Sequence, residues 1–219
     1  MTDHSNQSSG QAGPEEEGAE SARFLRIGLI FYGVMLAAAL LWRMGLHGES
    51  ILYASPADAL RGVSLGRDLA LGVGAGIVVV AISYVFTAMT GWGDALARGL
   101  AGAIGFIAVP DALLLALASG MGEEAFFRGA LQPRVGIVWA SLLFGCVHFI
   151  PRREFLPWTG FAILAGALFG VLFLWTGNLI APVTAHVVVN GINLPLLARL
   201  YGEESDAGPP PGQDDDGAA

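Results

Sequence analysis

Residues 122–131 read GEEAFFRGAL: two adjacent carboxylates, Glu123 and Glu124, and one arginine, Arg128, set between long apolar runs. Upstream, 100–119 is apolar apart from Asp111 beside Pro110, and downstream 135–150 holds no acid or arginine. A membrane-spanning helix needs about 20 mainly apolar residues. Further out, four more stretches qualify: 27–44, 69–89, 158–175 and 179–200. The reading is all-α, a polytopic transmembrane bundle of about six helices. The count becomes seven or eight if 100–119 breaks at Pro110. Composition agrees, with 54% hydrophobic residues, 14% charged and a mean hydropathy of +0.60, where a soluble domain carries about 25% charge.

The charges are segregated. Residues 1–22 hold five acids and no basic residue, and 203–219 hold six acids and no basic residue. The remainder has 8 acids against 11 arginines, a net +3, so the overall −8 belongs to the two ends. This pattern gives no footprint for nucleic-acid binding. Both ends, 1–22 and 203–219, are expected to be disordered acidic tails, because they are poor in apolar residues and the second carries Pro209-Pro210-Pro211. A membrane-embedded domain then occupies 23–202. Cys146 is the sole cysteine, so neither an intramolecular disulfide nor a cysteine zinc site is available. Every basic residue is Arg, in a chain rich in Ala and Gly, which suggests a GC-rich bacterial genome. With six spans, the side shared by the termini holds six arginines and the other side four, leaving Arg128 aside. The excess places both termini in the cytoplasm, and the expected location is a bacterial inner membrane.

Ionisable groups at membrane depth mark function by default. On a helix, residues i and i+4 share a face. Glu124 and Arg128 have that spacing, as do Phe144 and His148, and His186 and Asn190. Glu124 with Arg128 reads as a structural ion pair, since an unpaired buried charge costs several kcal/mol. Glu123 points about 100° away from Glu124 and has no partner of its own in sequence. Either it shares Arg128, finds a partner on another helix, or serves as a general base. Taken singly, His148 reads as a hydrogen-bonded core histidine and His186 with Asn190 as a polar packing pair. Together, a carboxylate, two imidazoles and an amide are the parts of a hydrolase site. The carboxylate and one imidazole activate water, while the other imidazole and the amide donate to an oxyanion.

Three motifs carry a resemblance. EEAFFR fits Glu-Glu-x-x-x-Arg, FGCVH fits Phe-x-x-x-His, and HVVVN fits His-x-x-x-Asn, in order along 100–200. This set resembles the CPBP intramembrane protease family (CAAX protease and bacteriocin-processing, or Abi), whose eukaryotic relative is the CAAX prenyl endopeptidase of the endoplasmic reticulum. FFRGALQ, ASLLFG and TGNLIAPVTAH around the motifs resemble the family too. The resemblance implies an α-helical membrane core with a cavity open to the membrane. It implies Glu123 and His148 activating water, His186 and Asn190 stabilising the oxyanion, and Glu124, Arg128 and Phe144 supporting the site. The implied activity is endoproteolysis near a membrane-embedded or lipid-anchored C-terminal segment of a protein or peptide.

The cofactor expectation is none, a glutamate-type mechanism. The alternative is Zn2+ held by Glu123, His148 and His186 with water in the fourth position, although no H-E-x-x-H occurs. Two readings from other classes stand beside the protease. One is a non-proteolytic scaffold or bacteriocin self-immunity protein. The other is a proton-coupled transporter, which the lack of an inverted repeat disfavours.

Overall fold

The computed structural model describes residues 14–105 and 107–201. Among them the chain is helical, with no strand beyond one isolated antiparallel bridge, Tyr53 to Asn178. In chain order the helices are α1 (Pro14–Leu40), α2 (Pro56–Arg61), α3 (Leu65–Met89), α4 (Gly91–Ile104), α5 (Val109–Glu124), α6 (Gln132–Val147), α7 (Leu156–Thr176) and α8 (Ile180–Tyr201). Two π-helical stretches extend them: Leu41–Leu46 prolongs α1, and Ala125–Leu131 joins α5 to α6. α1 takes in residues 14–22, which the sequence reading gave to the N-terminal tail. The rest of that tail and all of 203–219 lie outside the described residues.

Five segments among the described residues are long and apolar enough to cross a membrane: Ser21–Leu46, Leu65–Met89, Val109–Val147, Leu156–Thr176 and Ile180–Leu200. The third, 39 residues long, is a hairpin rather than one rod. Gly136 sits at φ 80°, ψ 166°, outside the helical region. The Arg128 guanidinium then lies 4.4 Å from the Phe144 ring centre. A straight helix would hold residues 16 apart at about 24 Å, so the chain folds back on itself at Gly136. Glycine alone adopts this φ without strain.

The packing fixes the direction of each pass. A Cβ on Gly72 would meet Ala181 and Thr184, and one on Gly76 would meet Ala185 and Val188, so α3 and α8 run parallel. Gly120 faces Val187 while Gly191 faces Leu113 and Ala116, so α5 and α8 run antiparallel. Gly145 against Ile163 and Gly170 against Ile137 make α6 and α7 antiparallel. Gly28 against Leu115 and Gly122 against Tyr32 make α1 parallel to α5.

 Among the described residues, α1, α3, α5, α6, α7 and α8 therefore alternate in direction. α4, with 14 residues, is about 21 Å long and too short to cross.

One span boundary moves. The expected stretch 100–119 is two pieces: α4 closes at Gly105 (φ +67°) and α5 starts afresh at Val109 with Pro110 in its first turn. The pass that carries the carboxylates runs from Val109 through the π-helical stretch to Leu131.

Helix contacts rely on small residues, as expected where lipid removes the usual hydrophobic drive for helix association. One core cluster, Val79, Phe169, Leu172, Ala181, Ala185 and Val189, joins α3, α7 and α8. At one end of the bundle the segment after α1 straps over the α7–α8 turn, with Leu179 N–H donating to Leu52 O and Ala54 N–H donating to Gly177 O. The buried Arg43 ties this strap down through Ser50 O, Tyr53 O and Glu49.

Candidate active site

Glu123 and Glu124 end α5 and are buried, with Glu124 fully enclosed. The π-helical stretch that follows carries Arg128, 1% exposed. Its Nη1–H donates to Glu124 Oε1 at 3.0 Å, and its Nη2–H donates to Gly166 O on α7 at 2.9 Å. One turn on, Gln132 Nε2–H donates to Gly170 O at 3.1 Å. The guanidinium packs over Phe144, and the Phe127 and Phe169 rings are 5.9 and 5.5 Å away. Desolvated cation–aromatic contacts and a charge-assisted pair together offset part of the cost of burying the arginine. A Cβ on Gly166 would sit 3.2 Å from Phe144 and 3.3 Å from Arg128 Nη2, so a larger residue there would crowd both.

Glu124 has a second partner that the sequence reading did not foresee. His186 Nδ1 lies 2.8 Å from Glu124 Oε1. A carboxylate oxygen accepts, so Nδ1 carries the proton and the free nitrogen is Nε2. The imidazole stacks on Phe169 at 5.3 Å. The expected ion pair is thus one side of an Arg128–Glu124–His186 chain linking α5, α7 and α8.

Glu123 faces elsewhere. His148, directly after α6, points Nε2 at Glu123 Oε2 across 3.8 Å. Its Nδ1 is 2.7 Å from Phe144 O. A carbonyl only accepts, so Nδ1–H donates there and a neutral His148 turns its Nε2 lone pair toward Glu123. Glu123 Oε2 is buried and has no hydrogen-bond partner among the described residues. Phe144 and Trp158 frame the His148 ring at 4.7 and 5.7 Å. Glu123 faces groups on other elements, His148 and also Tyr32 of α1, whose side chain interacts with the carboxylate.

Asn190 sits one turn beyond His186 on α8. Its Nδ2–H donates to Ser119 Oγ at 2.9 Å, and Ser119 Oγ–H donates to Ala116 O at 3.1 Å. Gly120 allows this closeness, because a Cβ there would be 2.6 Å from a Val187 methyl.

The seven predicted site residues therefore gather where α5, α6, α7 and α8 meet. Sequence reasoning missed Tyr32, Ser119 and the two glycine carbonyls. Ser119 was within reach, since it lies four residues before Glu123 on the same face of α5. Tyr32 sits in a distant apolar span whose spacing carries no signal. Among the described residues no group of three His, Cys, Asp or Glu side chains is placed to hold a metal ion. Glu123 and His148 face one another while His186 is turned to Glu124.

Fold and site define a class: a polytopic α-helical membrane protein with a buried carboxylate–imidazole centre. Residues 105–192 match the family model described as type II CAAX prenyl endopeptidase Rce1-like. That region contains all seven site residues. Over 86 residues it is 36% identical to the uncharacterized protein YpbD of Bacillus subtilis (strain 168), a stretch covering 38% of this chain and 44% of that protein. The chain thus matches less than half the length of this curated relative. No solved structure matches it.

Proposed function

We propose that the chain is an intramembrane endopeptidase of the glutamate type. The observation that carries this reading is the pair Glu123 and His148: a buried carboxylate oxygen without a hydrogen-bond partner among the described residues, 3.8 Å from an imidazole nitrogen. A single water can bond both atoms at once. Glu123 takes a proton from that water as its oxygen attacks the scissile carbonyl, and His148 holds the water in line. The proton then passes from Glu123 to the leaving amine.

The tetrahedral oxyanion is met by His186 and Asn190. Asn190 has a second Nδ2–H beyond the one given to Ser119. His186 donates through Nε2 in its doubly protonated form, with Glu124 accepting from Nδ1 and supplying the countercharge. Arg128 holds Glu124 in place, and Phe144 supports both Arg128 and His148. This division of labour uses each motif residue once, and no step requires a metal.

Substrates would be proteins or peptides with a membrane-embedded or lipid-anchored C-terminal segment, delivered laterally from the bilayer to a site built inside the helices. The proposed location is a bacterial inner membrane with cytoplasmic termini. The test compares a lipid-anchored peptide with its unanchored counterpart, using purified protein in detergent and products read by mass spectrometry. Cleavage of the anchored peptide alone, lost in Glu123→Gln, is expected. Equal cleavage by wild type and Glu123→Gln refutes the reading. A Glu123→Gln variant that keeps full biological activity would favour the scaffold or immunity alternative.

A further inference from the structure

Three features lie outside the seven motif residues. A cavity of about 220 Å³ is lined by Arg61, Ser64, Arg67, Trp175 and Thr176, but Arg61 and Arg67 are already paired with Asp58 and Asp68. A shallow hollow beside the α6–α7 turn has no built polar site. The third feature, Ser119, is 1% exposed in the face where α5 meets α8.

We infer that Ser119 is a positioning residue that fixes which end of the Asn190 amide faces the reacting atoms. The inference rests on the oxyanion role given to Asn190 above. The hydrogen-bond directions decide it. Ser119 has a single hydroxyl proton, and the neighbouring Ala116 carbonyl, 3.1 Å away, can only accept. That proton is therefore committed, and Ser119 Oγ turns lone pairs toward Asn190. The Asn190 atom 2.9 Å from it must then be the donor Nδ2. Without this bond the amide is symmetric in shape, and rotation by 180° about its last torsion would exchange a donor for a carbonyl oxygen. An oxygen facing the oxyanion would repel it. Ser119 thus costs the alternative rotamer a hydrogen bond and an unfavourable oxygen–oxygen contact, and leaves the second Nδ2–H for the substrate.

The placement matches this task. Ser119 and Glu123 are four residues apart on α5, and His186 and Asn190 four apart on α8, so two antiparallel faces each present two polar groups. Gly120 closes the α5–α8 contact beside Val187, which keeps the Ser119–Asn190 bond short.

The experiment is a double-mutant cycle on the full-length protein, with cleavage of an anchored peptide as readout. Ser119→Ala removes one oxygen and leaves the helix intact. It is expected to lower kcat about tenfold with KM unchanged, a fraction of the roughly 10²–10³ lost when an oxyanion donor is deleted. In the Asn190→Ala background the same substitution should have no further effect, because Ser119 acts only through Asn190. Ser119→Cys, of similar shape and a weak acceptor, should fall between wild type and Ser119→Ala. An undiminished kcat in Ser119→Ala overturns the inference. So does an equal loss on adding Ser119→Ala to Asn190→Ala, which would mark a general packing role. If Asn190→Ala itself keeps full activity, the oxyanion assignment fails instead, and the two failures are distinguishable.

Discussion

Arg128→Met is the sharpest structural test of the buried charge chain. In the protein, Arg128 is 1% exposed and Glu124 fully buried, joined at 3.0 Å. Methionine fills part of the stem volume but leaves the Glu124 carboxylate with His186 as its one remaining partner among the described residues. Removing one member of a buried pair costs about 3–5 kcal/mol, mostly because the other charge stays behind. The lost contact with the Phe144 ring falls within that range. The double variant Glu124→Gln/Arg128→Met removes both charges, while the Oε1 of the introduced glutamine can still accept from His186 Nδ1. It should therefore be at least about 2 kcal/mol more stable than the sum of the single effects. The assay is unfolding in mixed micelles by a denaturing detergent, followed by tryptophan fluorescence. The reasoning is refuted if Arg128→Met lies within about 0.5 kcal/mol of wild type, the scatter of an ordinary surface change. Simple additivity in the double variant would also refute it.

Other outcomes follow from particular contacts. A Cβ on Gly122 would stand 2.8 Å from the Tyr32 carbonyl oxygen and 3.2 Å from its Cβ, so Gly122→Ala must push α1 away beside Glu123. It should destabilise by about 1–3 kcal/mol and lower activity, whereas Gly33→Ala, with open space at its Cβ, should be neutral or slightly stabilising in the same assays. Gly177 ends α7 at φ +75°, and its Cβ would lie 2.5 Å from Asp58 Oδ1, so Gly177→Ala should cost about 1–2 kcal/mol from left-handed backbone strain and more from the clash. Asp58, in the loop helix α2, is held below its ordinary value of 3.8, chiefly by the Ser55 hydroxyl and then by Arg61. A depressed folded value means that its contribution is complete above about pH 4 and is lost as pH falls through the folded value. The stability gap between wild type and Asp58→Asn should thus be constant at neutral pH and shrink below about pH 4; a gap that widens on acidification would contradict this.

Much of the fold was legible because lipid imposes a simple rule on composition. The apolar stretches at 27–44, 69–89, 158–175 and 179–200 each became one pass. The stretch at 100–119 misled because apolar content cannot tell a crossing helix from a short one: Gly105 and Pro110 break the chain there, and the true pass begins later and runs through the carboxylates. A fold-back between 100–119 and 135–150 was expected, but its position at Gly136 was not legible, since a glycine inside an apolar run reads as helix until its φ is known. In the site, the i to i+4 pairs foretold which residues share a face. They did not foretell partners on other helices, so the bond from His186 to Glu124, the facing of Glu123 and His148, and the contacts of Ser119 and Tyr32 emerged only from tertiary packing. The helix between Ala125 and Leu131 loosens to π geometry just after the carboxylates, a feature common at functional sites and without a sequence signature here.

The central claim is that Glu123, without metal, activates the attacking water. The most direct measurement is the cleavage rate of one anchored peptide by wild type and Glu123→Gln, each with and without a zinc chelator. The account predicts that wild type is indifferent to the chelator and that the variant loses at least about 10²-fold, the lower range for a general base. Wild-type activity abolished by the chelator and restored by added zinc would contradict it, as would a Glu123→Gln variant that cleaves at the wild-type rate.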